Sequence, residues 1–343
     1  MFKLSPLGRR RFERFKKNRR GWWSLWLFVG LFLLTLGGEL IANDQPLMVS
    51  YQGSLYFPAF KRHTEQEFGG QLPFQADYRS DYVQKLIHKD GGWMLFAPIP
   101  FSDDTPNYDL NQPAPSPPSK VNWLGTDDQA RDVLARVIYG FRISTLFGLT
   151  LSILCTPIGI FAGALQGYFG GAVDLFFQRF LEIFGSMPTL FLLMILASAV
   201  TPNFWWLLGI MVFTTWTWPV GLVRAEFLRA RNFEYVRAAK AMGMSDWRIM
   251  TKHILPNAVV ATLTFLPFTL SGSVTTLTAL DFLGLGLPPG SPSLGELLQQ
   301  GKENLQAPWL AFTGFFVIGG LLVLLIFIGE GIRDAFDPRK TTV

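Results

Sequence analysis

Long runs of apolar residues alternate with polar connections along most of this chain. Six runs contain about 20 residues or more, enough for a helix to cross the roughly 30 Å hydrocarbon core of a bilayer. They lie at residues 22–42, 141–165, 175–200, 204–223, 258–280 and 309–328. The pattern therefore predicts an all-α integral membrane protein with six transmembrane helices.

The first run, residues 22–42, follows a basic leader at residues 1–21, as the apolar part of a secretory signal peptide also would. It is longer than the roughly 7–15 apolar residues of such a peptide. Leu40 also lies where a cleavage site requires a small residue. We therefore expect the run to be retained as the first transmembrane helix.

The charged residues predict which way the chain crosses the membrane. The leader and the connection at residues 224–252 are basic, whereas residues 43–130 hold six Lys and Arg against eleven Asp and Glu. Because Lys and Arg concentrate in cytoplasmic loops, both termini, residues 1–21 and 333–343, are predicted to be cytoplasmic. Residues 43–120 then form a periplasmic insert after the first helix.

Composition supports a membrane protein, because only 16% of the residues are charged, against about 25% in an average soluble domain. The net charge of +5 also suits nucleic-acid binding, but orientation already explains the basic segments, so lipid is the expected partner and nucleic acid is not. The single cysteine, Cys155, can form neither an internal disulfide nor a thiolate cluster. The three histidines have no metal-ligand spacing, so we expect no metal site.

The region before the second run predicts two further elements. The Pro-rich stretch at residues 111–120 favours an extended spacer, and the long insert before it suggests a small subdomain or lid. Residues 121–140 predict an interfacial amphipathic helix that begins at a capping box formed by Thr126 and Gln129. Its apolar face would hold Val133, Leu134, Val137 and Ile138.

Three glycines at intervals of four residues, Gly159, Gly163 and Gly167, predict a close contact between the second run and another helix. They belong to a predicted five-helix core at residues 141–332.

A polar stretch, "EYVRAAKAMGMSDWRIMTKHILPN", separates two of the apolar runs. It predicts a helix that ends at a left-handed Gly243, then a second short helix that Ser245 caps and that ends before Pro256. The small side chains of Ala238, Ala239 and Ala241 would let the first helix enter a groove on a cytoplasmic partner. An ordinary basic loop remains the alternative.

Within this stretch, "AAKAMG" and "HILP" resemble the EAA loop of ATP-binding-cassette (ABC) importer permeases. The resemblance implies that residues 224–257 are a coupling loop that docks on a separate ATPase through Ala238, Ala239, Gly243, Leu255 and Pro256. Arg237 occupies the acidic position of that motif, so its contact with the ATPase is expected to differ.

Three further stretches, "LGTDDQARDVLARVIYGFRIS", "FLGLGLPPGSPSLGELL" and "GEGIRDAFDPR", resemble the second permease subunit of dipeptide and oligopeptide importers. The long insert is similar to that of Yej-type permeases of Gram-negative bacteria, whose importer takes up peptides and microcin C. The resemblance implies a multi-pass inner-membrane protein that forms half of a translocation path. Its implied partners are a second permease in a heterodimer, an ABC ATPase, a periplasmic substrate-binding protein and a peptide.

The chain has no G-x-x-x-x-G-K-[ST] stretch, so we expect it to bind no cofactor, with ATP and Mg on the partner ATPase. An ion-coupled secondary transporter or channel subunit is the alternative, which would use charges near a span such as Asp174, Arg179 and Glu182. Arg179 and Glu182 have the spacing of a structural ion pair. No nucleophile motif such as G-x-S-x-G is present, so a membrane enzyme is not expected.

Hydroxyl side chains within two of the runs are candidates for lining the path. They are Thr214, Thr217, Ser271, Ser273 and Thr275. Such hydroxyls can face a wet cavity or can donate a hydrogen bond to a helix carbonyl one turn back. The sequence leaves both interpretations open.

Overall fold

The computed structural model describes residues 6–89, 91–200 and 203–336, and the chain in this part is mostly helical. The parts of the predicted termini at residues 1–5 and 337–343 lie outside the described residues. The helices are α1 (Pro6–Lys17), α2 (Arg19–Leu36), α3 (Gly38–Ile41), α4 (Asp81–Lys89), α5 (Val133–Phe169), α6 (Gly171–Gly185), α7 (Thr189–Ala199), α8 (Phe204–Thr215), α9 (Val220–Ala230), α10 (Glu234–Ala241), α11 (Asp246–Ile249), α12 (Leu255–Leu263), α13 (Leu266–Phe282), α14 (Leu294–Glu303) and α15 (Pro308–Phe336). A 3-10 turn at Glu65–Phe68 and a π-turn at Met250–Ile254 complete the helical elements, and the strands are β1 (Met48–Tyr51), β2 (Ser54–Tyr56) and β3 (Trp93–Leu95).

Three described helical segments are long and apolar enough to span a membrane: Val133–Phe169, Phe204–Ala230 and Pro308–Phe336. Two bent pairs bring the number to five if each is one span: Gly171–Gly185 with Thr189–Leu196, and Asp246–Leu263 with Leu266–Phe282. These five correspond to the five later apolar runs. The first run corresponds to α2, which begins with two arginines. The α2 helix is not one of the helices long and apolar enough to span a membrane, so a sixth span stays a prediction.

The α2 helix nevertheless packs into the same bundle. Gly21 lies against Gly331 of α15, and a β-carbon at Gly21 would lie 3.0 Å from the Phe327 carbonyl oxygen. Further along α2, Phe28 belongs to a buried cluster with Leu270 of α13 and residues of α15. The first run is therefore a helix packed against α13 and α15.

The glycine triplet of α5 makes the close contact that its spacing predicts. A β-carbon at Gly163 would lie 2.6 Å from the Val220 carbonyl oxygen of α9. Gly159 meets Pro219 in the same way, and Gly167 meets the Phe227 side chain. The absence of side chains along this stripe lets α5 and α9 pack backbone to backbone, so the prediction is confirmed.

The insert is a folded unit with a core of its own. Its antiparallel sheet has the order β2-β1-β3, and Val49 pairs with Tyr56 on one side and with Met94 on the other. Val49, Phe68 and Ile87 are fully buried together between this sheet and α4. The unit is joined to the bundle through the pairing of Ala42 with Ile99.

The predicted interfacial helix at residues 121–140 is wrong in its start. Asp127 accepts hydrogen bonds from the backbone amides of Gln129 and Arg131, and Ala130 has a left-handed φ of 62°, so this segment is a tight turn. The helix begins at Val133 with Asp132 as its N-cap, because the Asp132 carboxylate accepts from the Ala135 amide at 2.8 Å. Thr126 instead accepts from the Ser116 amide.

Candidate coupling site

The segment between α9 and α12 folds as helix, glycine turn, helix. The first helix is α10 and the second begins at α11, with Gly243 between them at a φ of 78°. The Gly243 amide donates to the Lys240 carbonyl and the Met244 amide donates to the Ala239 carbonyl. These two bonds form a Schellman motif, in which glycine is favoured because a β-carbon strains the left-handed backbone. The predicted left-handed turn at Gly243 is confirmed.

One side of this segment is buried against the membrane helices. Ala239 is 2% exposed and Val236 is 3% exposed. Both join a cluster that includes Phe227 of α9, Tyr168 of α5 and Ile249 of α11. The segment is therefore held on the ends of two spans rather than projecting as a free loop.

The other side of the segment is exposed and combines cations with large apolar side chains. Arg237 and Ala238 lie on this side, and they are exposed, as the motif residues Gly243 and Pro256 also are. The exposed large apolar residues are Phe233, Tyr235, Met242 and Trp247. We call this side the coupling face, defined by Arg237, Ala238 and these four apolar residues. Apolar side chains rimmed by charge are typical of a protein-binding surface.

Polar contacts fix the segment to the bundle. The Tyr168 hydroxyl of α5 donates to the Asp246 carboxylate at 2.5 Å, and Arg231 donates to the Tyr168 carbonyl oxygen at 3.3 Å. Just before the segment, Arg224 of α9 makes two bonds to Asp174 of α6, at 2.6 and 2.7 Å. Paired bonds of this kind are directional, so they hold α6 and α9 in one orientation.

The predicted end of the second helix before Pro256 is wrong. Residues 246–263 form one helical segment, and Leu255 and Pro256 lie in the first turn of α12. Pro256 lacks an amide proton and its ring crowds the preceding turn, yet the wider π-turn at Met250–Ile254 lets the helix continue. The motif residues thus lie in two places, with Ala238, Ala239 and Gly243 in the turn region and Leu255 and Pro256 at the start of the next span.

The candidate residues for the translocation path differ in their hydrogen bonds and in their exposure. Thr214 and Ser273 donate to helix carbonyls one turn back, and Ser273 is buried within the bundle. Thr275 also donates one turn back, to the Ser271 carbonyl, but its side chain is exposed. Ser271 and Thr217 are half-buried. The five residues therefore differ in burial and in hydrogen bonding, and their place along the translocation path stays a prediction.

A buried ion cluster joins two of the motif stretches, which lie far apart in the sequence. Arg136 is fully buried and lies 2.9 Å from a Glu296 carboxylate oxygen and 3.4 Å from Asp127. Arg131 lies 2.7 Å from Asp127 and 3.3 Å from Glu296. Burial alone would lower the pKa of Arg131, but its hydrogen bonds and charge contacts with Asp127 and Glu296 raise it. The only sequence signal was the charged residues within the two motifs.

The same cluster connects the insert to the core. Arg136 donates to the Asp103 carbonyl oxygen at the end of the insert and to the Ser291 carbonyl oxygen in the loop before α14. Burial and the charge of Asp104 raise the pKa of the Asp103 carboxyl. Because buried charges are costly unless they are paired, this cluster fixes one arrangement of the insert, α5 and α14.

The chain is similar over nearly its whole length to known transport proteins. The family model described as "Binding-protein-dependent transport system inner membrane component" matches residues 156–342. The inner membrane ABC transporter permease protein YejE of Escherichia coli K12 is 60% identical, over 99% of this chain and 99% of the relative. The peptidoglycan transport system permease protein YejE of Agrobacterium fabrum is 55% identical, over 98% of this chain and 94% of the relative.

A more distant relative is also a peptide transport permease. The oligopeptide transport system permease protein OppC of Bacillus subtilis is 32% identical, over 71% of this chain and 80% of the relative. A chain of the MetNI methionine ABC transporter in an inward-facing conformation is 16% identical, with a TM-score of 0.47 over 59% of this chain and 97% of that chain. The family match and the near-full-length identities establish that this chain belongs to the binding-protein-dependent ABC importer permeases, among those of the YejE type.

Proposed function

We propose that this permease subunit forms half of a translocation path for peptides or peptide-like compounds and receives the motion of a separate ATPase through residues 234–256. The observation that carries the proposal is the coupling face. Its apolar side chains are exposed, while the opposite side of the same segment is buried against α5 and α9. A partner that binds this face pushes directly on two spans.

The substrate class rests on the relatives. Their names specify peptidoglycan transport for the Agrobacterium protein and oligopeptide transport for the Bacillus protein. Peptides and peptide-bearing cell-wall fragments share an amide backbone, which needs polar but uncharged groups along a path. The exposed Thr275 and the half-buried Ser271 of α13 remain our candidates for such groups.

An ABC importer permease works with an ATPase and a substrate-binding protein, and we further propose a second, different permease as its partner in a heterodimer. No phosphate-binding loop occurs in this sequence, so ATP and Mg are assigned to the ATPase. Six spans with both termini in the cytoplasm would place the insert, α14 and the start of α5 outside. The basic coupling segment would then lie in the cytoplasm.

The ion-coupled alternative finds less support in the side-chain contacts. Arg179 pairs with Glu182 at 2.6 Å on the surface of α6. Asp174 is paired with Arg224, so these charges already have structural partners. A coupling-ion site would instead need a carboxylate that can exchange its partner for the ion.

Two exposed tryptophans provide a matched test of the coupling face. Trp247 lies on this face and is 61% exposed, whereas Trp205, at the start of α8, is 73% exposed. We expect Trp247→Ala to reduce co-purification of the ATPase and substrate-stimulated ATP hydrolysis, and Trp205→Ala to reduce neither. Equal effects of the two variants would remove the support for this face. Transport by the purified chain without any ATPase would favour the ion-coupled alternative.

A further inference from the structure

The first two helices meet at Asn18, outside the coupling site. Asn18 separates α1 from α2, and its side-chain oxygen accepts a hydrogen bond from the Gly21 amide, which caps α2. The two helices are therefore distinct elements, and α1 can take an orientation different from that of the span.

Four aromatic rings are in contact across this junction, and we call them the aromatic ladder: Phe12, Phe15, Trp22 and Trp26. The Trp22 ring lies 5.9 Å from the ring of Phe12 and 6.1 Å from the ring of Phe15, and 5.6 Å from the ring of Trp26 one turn further along α2. Phe12 is 50% exposed and Trp26 is 53% exposed. The exposed apolar surface of the span thus continues without interruption onto α1.

Basic side chains surround the ladder. Residues 6–20 contain eight Lys and Arg and a single Glu. Arg9 pairs with Glu13, and Lys16 places its ammonium over the Trp22 ring. Arg10, Lys17 and Arg20 are exposed. Helices that bind membrane surfaces have this combination of an apolar side and basic residues, with aromatic rings at the level of the headgroups.

We propose that α1 lies in the bilayer interface and binds the headgroups of anionic phospholipids. The exposed rings of Phe12 and Trp26 face the acyl chains, Phe15 is buried against Gly331 of α15, and Arg10, Lys17 and Arg20 lie among the phosphates. An acidic protein surface would also complement these cations, but it would not account for an apolar ladder that is continuous with the exposed surface of a transmembrane helix. Charge complementarity and this continuity together favour lipid.

The test measures lipid selectivity of the full-length chain in phosphatidylethanolamine vesicles. Electron spin resonance compares the association of spin-labelled phosphatidylglycerol with that of spin-labelled phosphatidylcholine. We expect the R10Q/K17Q/R20Q variant to lower the selectivity for phosphatidylglycerol about twofold or more, because each basic residue near an anionic surface contributes to binding. The control variant, K61Q/R62Q/K85Q, removes three exposed charges from the insert and should retain the selectivity.

A second measurement tests the position of the ladder without relying on charge. A spin label at Phe12, introduced as Phe12→Cys in a Cys155→Ser background, should be more accessible to oxygen than to a water-soluble nickel chelate. Greater accessibility to the chelate, or unchanged selectivity in the R10Q/K17Q/R20Q variant, overturns the proposal. Loss of ATPase co-purification in that variant with unchanged lipid selectivity would identify a protein surface as the partner instead.

Discussion

The Tyr168 hydroxyl donates a 2.5 Å hydrogen bond to the Asp246 carboxylate and so ties the last turn of α5 to the first residue of α11. A hydrogen bond to a charged group contributes about 1.5–3 kcal/mol. Tyr168→Phe keeps the buried ring but removes this bond. We expect insertion to be normal and binding-protein-stimulated ATP hydrolysis by the reconstituted importer to fall several-fold. Tyr108→Phe, which alters a hydroxyl on an 87% exposed residue of the insert, is the control.

The turn at Gly243 can be tested separately from packing. A β-carbon at Gly243 meets nothing within 4 Å, so the cost of a substitution is backbone strain at a φ of 78°. That strain is about 1 kcal/mol or more for a residue with a β-carbon and greater for a branched one. We expect Gly243→Val to reduce uptake and stimulated ATP hydrolysis in proteoliposomes at normal expression.

Asparagine is the matched control at this position, because it adopts the left-handed conformation more readily than other residues with a β-carbon. Gly243→Asn should retain more uptake than Gly243→Val. If both variants transport normally, the left-handed turn has no role in coupling.

The insert can be removed at boundaries that the fold defines. A deletion of residues 51–115 would cut β1 at Tyr51, whereas replacing residues 46–96 by a Gly/Ser linker keeps the pairing of Ala42 with Ile99. We expect the shortened chain to fold and to support basal ATP hydrolysis, with weaker stimulation by the binding protein. The folded unit of the insert is proposed to contact that protein. Residues 46–96 hold five Lys and Arg and five Asp and Glu, so the deletion tests this contact, whereas the attraction by the remaining acidic residues is tested by added salt, which should weaken it.

Stimulation and uptake that survive this deletion unchanged would show that the insert is dispensable for docking. Loss of basal hydrolysis as well would show that the insert supports the bundle rather than the binding protein.

Labelling of two single-cysteine variants in a Cys155→Ser background tests the predicted topology. Ser54 is exposed at the start of β2, and Thr341 belongs to the C-terminal residues. A membrane-impermeant maleimide should label Ser54→Cys in intact spheroplasts and Thr341→Cys only after lysis. External labelling of Thr341→Cys would contradict six spans with both termini in the cytoplasm.

Stability should depend on pH through Asp103, whose pKa is raised by burial and by Asp104. At pH values between the ordinary aspartate pKa of about 3.9 and the raised pKa of Asp103, the folded chain binds more protons than the unfolded chain. Its stability therefore falls as the pH rises through that window. We expect Asp103→Asn to unfold at a higher temperature than the natural chain at pH 7, with the difference shrinking as the pH approaches about 4. A lower unfolding temperature for the variant at pH 7 would contradict this.

The helices and their closest contact were predictable because they depend on local pattern. Apolar length located the bundle, and the four-residue spacing of Gly159, Gly163 and Gly167 required a close neighbour. The left-handed turn was also predictable, because glycine after a run of helix formers is a strong local signal.

Two features escaped prediction because they depend on contacts between distant residues, and a third depends on an irregular helical turn. The sequence around Arg136 did not indicate that this side chain is buried, because its carboxylate partner Glu296 lies 160 residues away. Pro256 looked like a helix terminator because sequence does not reveal a π-turn that accommodates the ring. Tyr168 carried no visible polar role because Asp246 is 78 residues away.

The continuity of the helical segment through Pro256 has a mechanical consequence. From Asp246 to Leu263 the segment is unbroken, and at about 1.5 Å per residue it is a lever about 27 Å long. At its far end lies the 51° bend between Leu263 and Leu266. We expect a push on Trp247 at one end of this segment to be transmitted to the bend through continuous helix. Small rotations at the coupling face would then move α13, the helix that carries Ser271 and Thr275.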